Sequence, residues 1–188
     1  MRRLEGQLQM DRLSLHNCCG MGCNCHREKY GSVRRYNFDG AWEERTNRGG
    51  SKVILRNNHG DFVAVLSARV EFAASVLHVE LLAAESALLF TKQIHHHESQ
   101  VVLEGDFLIT IATMNGHGDD SYPLGPIIND IGALLSDFLQ TKLHHVRREE
   151  NQVAHRLARA GVGSFQELIW LTEPPDLILN ALFEDASN

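Results

Sequence analysis

Three carboxylates stand where an acid is unfavourable unless something pairs with it. Asp39 lies in "YNFDGAW", where Tyr36 and Phe38 alternate with Asn37 and Asp39 at the period of a strand with one packed face. Glu80 lies in a predicted helix. At about 100° per residue, Val76, Leu77, Ala83, Ala84, Ala87 and Leu88 all fall within about 80° of it, while Glu85 points about 140° away. Glu80 is therefore central to the apolar face, and the small residues at 83, 84 and 87 let that face come close to a sheet. Asp106 ends "VVLEGD", at the C-terminal end of a buried strand, where ligands of crossover sheets gather. Taken singly, Glu80 could be a salt-bridged core residue and Asp106 the N-cap of a helix beginning at Phe107. Together, three converging acids would repel one another and hold their protons. A hard divalent cation bound through oxygen is the usual resolution, and two such ions can clamp the attacking and leaving oxygens of a phosphodiester.

The elements that must position these acids are legible in pattern. "RRYNFDGAW", "SKVILRN" and "FVAVLSARVEF" read as three antiparallel strands, with "EERTNRGG" and "NHGD" as turns. A long helix is predicted from Ser75, its N-cap, to His95. "SQVVLEGD" follows as a buried strand. "FLITIATMNG" reads as a short helix closed at Asn115-Gly116, "HGDDSYPLG" as a loop, and "PIINDIGALLSDFL" as a helix with Pro126 at its start. "TKLHHV" is a last strand, and "REENQVAHRLARAG" a last core helix with Glu149 and Glu150 in its first turn. The order β-β-β-α-β-α-α-β-α predicts an α/β fold, a mixed five-stranded sheet flanked by helices. The expected division is a flexible Cys-containing leader over 1–32, a domain over 33–165, and a tail over 166–188 that docks on it through Trp170 and Leu171.

Composition sets the outer bounds. The 188 residues are 43% hydrophobic and 22% charged, which is globular and enough for one core. No run approaches the ~18 apolar residues of a membrane span, and the first residues lack the apolar stretch of a signal peptide. The expectation is a cytoplasmic or nuclear protein that is monomeric and does not engage membranes. A net charge of −6 argues against tight non-specific binding to a phosphate backbone, but not against a partner held through metal ions. Lys142, Arg147, Arg148, Arg156 and Arg159 cluster around the last helix; they could face phosphates, or solvate the helix and complement its dipole. All four cysteines fall in "HNCCGMGCNCH", whose C-C-x3-C-x-C spacing matches none of the usual zinc patterns and fits free thiols better. His95, His96 and His97 are consecutive, so on a helix they fan outward rather than converge on a metal.

With "FDGAW", "VELLAAESAL", "VVLEGD" and "HVRREENQVAHRLAR" in this order, the chain resembles the type-1 ribonuclease H fold, and within it the plant reverse-transcriptase-like subgroup related to retroelements. The resemblance covers roughly residues 33–165. It implies catalytic carboxylates at Asp39, Glu80 and Asp106 that bind two Mg²⁺ (Mn²⁺ as the substitute) and cut the RNA strand of an RNA–DNA hybrid. It also implies a histidine that assists the nucleophilic water or product release at His145, and nucleic-acid contacts at Gly40, Asn151, Arg147 and Arg148. The fourth metal-binding carboxylate of that family falls at His155, and an imidazole suits softer ions than Mg²⁺. The resemblance therefore leaves two readings: a metal-dependent endonuclease weakened at one metal ligand, or a non-catalytic nucleic-acid-binding relic of such a domain.

Overall fold

Alternation along the first three strands puts two sets of side chains on opposite faces of one sheet. The structure is a computed structural model that describes residues 33–94, 100–117, 124–138, 140–161, 167–171 and 173–185. The cysteine cluster, the His95–His97 triplet and the proposed leader lie outside the described residues. Strands β1 (Val33–Glu43), β2 (Arg48–Arg56) and β3 (Phe62–Val70) form an antiparallel meander in which Asp39 pairs with Lys52 and Lys52 with Ser67. The β2–β3 turn is the predicted one: the Asn57 side-chain oxygen accepts from the backbone N–H groups of His59 and Asp61, and Gly60 takes a φ of 84°. β2 begins three residues before its predicted start, because Gly49 and Gly50 continue the ladder against Trp42 and Ala41.

Helix α1 (Val76–Ile94) starts where the Ser75 hydroxyl accepts from the His78 N–H, as an N-cap does. β4 (Gln100–Gly105) then runs parallel to β1. Helix α2 (Leu108–Ala112) continues through a wider turn over Thr113–His117, in which Gly116 takes a φ of 78°. Helix α3 (Gly125–Ser136) carries Pro126 in its first turn, and β5 (Thr141–His145) lies parallel to β4. A 3₁₀ turn (Arg148–Asn151) leads into helix α4 (Gln152–Gly161).

The chain then departs from expectation. Leu168–Leu171 forms β6, antiparallel to β3, and Asp176–Asp185 forms helix α5, so the sheet has six strands rather than five, in the order β5-β4-β1-β2-β3-β6. "LIWL" shows no alternation of its own; what makes it a strand is the open edge of β3.

One face of the sheet packs Tyr36, Phe38, Val53, Leu55 and Leu66 against α1, where the Tyr36 and Phe90 rings meet edge to face at 6.5 Å. The other packs Ile54 and Val65 against Val153 and Leu157 of α4 and Ile178 and Ala181 of α5. Ile178 is fully buried while its neighbour Leu177 is 55% exposed. Ile178→Ala is thus expected to cost about 2–4 kcal/mol and Leu177→Ala less than about 0.5 kcal/mol in thermal or urea denaturation. Equal, small effects would mean that the C-terminal helix does not belong to this core. Among the described residues no helix is long and apolar enough to cross a membrane.

Candidate active site

Asp39 reaches the site because β1 crosses under α1 at a glycine. A Cβ on Gly40 would stand 2.8 Å from the backbone C and O of Val79 and 2.9 Å from the backbone N of Glu80. Only a residue without one lets the helix sit this close, and that approach brings Glu80 against Asp39. Gly49, on the neighbouring strand, makes room for the Val79 side chain in the same way. Gly105 does so for the Phe38 ring, whose atoms lie 2.7 Å from where a Cβ would be. Asp106 follows directly, at the end of β4 beside β1.

One oxygen from each of Asp39, Glu80 and Asp106 can be chosen so that all three lie within 4.8 Å of one another. Asp39 and Glu80 are 3% and 5% exposed. Among the described residues Glu80 has no salt bridge, so the core ion-pair alternative does not hold. One of its oxygens, Oε2, is buried without a hydrogen-bond partner, while the backbone of Gly40 bonds the carboxylate. Nor does Asp106 serve as a helix cap: the N-cap of α2 is Phe107, with no side-chain cap bond.

Burial raises the pKa of Asp39 to about 8, with the charge of Asp106 and a hydrogen bond to it adding to the effect and Arg148 opposing it. Burial likewise raises Glu80 to about 9, reinforced by Asp39 and Asp106 and opposed by the Gly40 backbone and Arg148. Both folded values exceed the ordinary 3.8 and 4.5, so the fold keeps protons that the unfolded chain gives up. The contribution of these groups to stability is complete below about pH 4 and is lost as pH rises to about 9. In EDTA the melting temperature is therefore expected to fall across pH 5, 7 and 9, and millimolar Mg²⁺ to restore more of it at pH 9 than at pH 5, where protons compete for the same oxygens. A flat profile in EDTA would contradict the crowding.

Around the acids lies a cleft of about 470 Å³, walled by Trp42, Val76, Phe107, Arg148 and His155 among others. His155, on α4, does not belong to the three-carboxylate group; its Nδ1 lies 3.2 Å from Asp39 Oδ2. Arg148 Nη2 lies 2.9 Å from His155 Nε2. His145 is exposed, with Nε2 3.2 Å from the backbone oxygen of Asp106. Arg147 is exposed and heads the 3₁₀ turn, its N–H donating to Glu150 Oε2. Asn151, expected as a nucleic-acid contact, is 1% exposed. Its Nδ2 donates to the Phe38 carbonyl at 2.9 Å and lies 3.4 Å from Asp106 Oδ1, so it ties the head of α4 to β1 and to the site. Trp42, Gly49 and Gly105 escaped the sequence reading. Glycines inside strands were the available signal for the last two; Trp42 is held by its indole N–H on the Ala73 carbonyl.

The donor set fits a hard divalent cation: three carboxylates, no sulfur, and one buried oxygen left without a partner.

Residues 37–161 match the profile of a family described as reverse transcriptase-like. No curated protein matches the chain. Among solved structures, RNase H1 from the halophilic archaeon Halobacterium salinarum NRC-1 is similar at 23% identity and a TM-score of 0.64, over 69% of this chain and 97% of that one. The N-terminal RNase H domain of a Mycobacterium tuberculosis protein is similar at 18% identity and a TM-score of 0.63, over 70% and 94%. LC11-RNase H1, solved in complex with an RNA/DNA hybrid, is similar at 17% and 0.63, over 69% and 96%. The fold is that of type-1 ribonuclease H.

Proposed function

We infer, from a chain that belongs to the reverse transcriptase-like family and has the type-1 ribonuclease H fold, that its cleft hydrolyses the RNA strand of RNA–DNA hybrids with the help of two divalent cations. The observation that carries this reading is the convergence of Asp39, Glu80 and Asp106 around an unpartnered, buried Glu80 oxygen. Asp39, Glu80 and Asp106 would hold Mg²⁺, or Mn²⁺ in its place. When bound, the cation supplies Lewis acidity and offsets the negative charge that develops at the phosphodiester.

The protein's own groups do the rest. Asn151 and the Gly40 backbone hold Asp106 and Glu80 in place. Arg148 at the cleft and Arg147, exposed and next to it in the chain, receive phosphate oxygens, which a chain of net charge −6 needs locally. His145, exposed beside Asp106, passes a proton between solvent and the reacting water. On this reading residues 33–165, with the 166–188 segment docked on them, form the working unit, and the protein acts as a monomer. The resemblance of "FDGAW", "VELLAAESAL", "VVLEGD" and "HVRREENQVAHRLAR" to the retroelement-related plant subgroup supports membership of it on the same reading.

A labelled RNA–DNA hybrid, incubated with Mg²⁺ or Mn²⁺ beside single-stranded RNA and duplex RNA, tests the reading. The hybrid alone is expected to be cut, and Asp106→Asn to lower the rate by at least about 10³-fold. The histidine at position 155 favours a second reading, a module that binds the hybrid without cutting it. Hybrid binding with no cleavage above background by the parent protein would select it.

A further inference from the structure

The cleft has two kinds of wall. Arg148 and His155, from the 3₁₀ turn and α4, are polar, while Trp42 of β1, Val76 of α1 and Phe107 after Asp106 are apolar. Trp42 is the largest of these side chains and is held in place. Its indole N–H donates to the Ala73 carbonyl at 2.9 Å, on the segment that leads from β3 into α1. Its cross-strand partner is Gly49, which has no side chain to lay over the ring. The residue is half-buried. Val76 beside the acids is 43% exposed, and Phe72, next to Ala73 in the chain, is 62% exposed. Apolar side chains left open at a cleft mark a binding surface. The N–H is the only polar group an indole has, and here it is taken up inside the protein. Trp42 can therefore offer a substrate apolar surface but no hydrogen bond.

We propose that Trp42 packs against the ribose of the nucleotide beside the scissile phosphate, and so holds the RNA strand without reading its bases. The proposal rests on the nuclease reading for the identity of its occupant. Phosphate oxygens gain nothing from an apolar wall, and they have Arg148 and the cation to meet. Inside a duplex the base faces are covered by their neighbours in the stack, so the apolar part that a wall can reach is the C–H surface of the sugar. Trp42 lines the same cleft as the three acids, which puts it beside the nucleotide whose phosphate they engage. Every ribonucleotide carries the same sugar, and the ring has no free donor with which to choose a base, so the contact is blind to sequence.

The chain has two tryptophans, so Trp170→Phe leaves Trp42 as its sole indole. In the full chain carrying that change and Asp106→Asn, which keeps the substrate intact, a labelled RNA–DNA hybrid is added with MgCl₂ and its binding followed by anisotropy. Trp42 emission is expected to move to shorter wavelength as the sugar displaces water from the ring. In cleavage, Trp42→Ala should raise KM roughly tenfold and leave kcat within about twofold. Trp42→Phe keeps an apolar ring but not the N–H, and should recover most of the loss. The factor should be the same for hybrids that differ in the bases at the cut. Emission unchanged with the hybrid bound would overturn the proposal, and so would quenching without a shift, the sign of stacking on a base. Equal loss in the alanine and phenylalanine variants would do the same, because the bond to Ala73 rather than the ring would then be what matters. If the hybrid binds and the parent protein cuts nothing, the nuclease reading falls, while the emission still decides whether Trp42 meets the strand. A hybrid that does not bind at all sinks both.

Discussion

Replacing Asp39 by asparagine is expected to abolish hybrid cleavage and, at the same time, to raise the melting temperature of the metal-free protein. Asparagine is nearly isosteric and can meet His155 Nδ1 in either tautomer, through its oxygen or its N–H, so packing at this 3%-exposed position changes little. What changes is charge. One of three carboxylates within 4.8 Å of one another is neutralised, which removes a proposed cation ligand and relieves the repulsion felt by Glu80. Cleavage should fall by at least about 10³-fold, the scale on which removal of an essential catalytic group is felt. The stability gain follows the proton balance. Asp39 titrates at about 8 in the fold against 3.8 ordinarily, so the gain should be near zero at pH 4 and largest above pH 8. Screening and relaxation reduce it to about 1–2 kcal/mol, or roughly 2–8 °C in a domain of this size. Stabilisation by Mg²⁺ should shrink in the variant. Melting curves in EDTA at pH 4, 6 and 8.5, with the cleavage assay alongside, check both parts. A variant that is less stable at pH 8.5, or that still cuts at the parent's rate, would show that these acids do not form a crowded cation site.

Gly40→Ala should be the most damaging single methyl group that can be added to the described part of this protein near its cleft. The new Cβ would stand 2.8 Å from backbone atoms of Val79 and 2.9 Å from the Glu80 nitrogen, closer than real Cβ contacts come. No flexible side chain can yield, because the opposing atoms are the backbone of α1. Either the helix retreats from β1 or the strand bends, and both separate Glu80 from Asp39. An overpacking cost of about 1–3 kcal/mol is expected. Misplacement of Glu80 by as little as ~1 Å is expected to lower cleavage by roughly 10²-fold. Gly132→Ala provides the contrast. It lies in the interior of α3 with nothing within 4 Å of the added Cβ, so the same substitution should stabilise by up to about 1 kcal/mol. If Gly40→Ala were as benign as Gly132→Ala in denaturation and in cleavage, the close crossing of β1 and α1 would not be what positions Glu80.

These two residues also mark the line between local and tertiary information. Asp39 betrayed itself as an acid in the middle of an alternating strand, and Glu80 by sitting at the middle of an apolar helical face; both signals are periods of the backbone, readable within a dozen residues. Asp106 was legible as a strand end, and the meander, the Ser75 cap and the Asn57 turn were written in local chemistry. The tertiary structure alone decided the contacts between distant segments. Asn151 reaches the Phe38 carbonyl across 113 residues of chain, and His155 reaches Asp39 across 116. No periodicity encodes such distances. They follow from how closely α4 and the turn before it approach the sheet. β6 is the same lesson at the scale of an element. Leu168–Leu171 carries no strand pattern of its own, yet it becomes a strand because β3 would otherwise present an unpaired row of N–H and C=O groups. The acids were thus determined by the sequence. Whether Asp106 caps a helix or joins the other two acids, and which side chains meet His155, was decided only when the segments met, because hydrogen-bond partners are a property of distance in space.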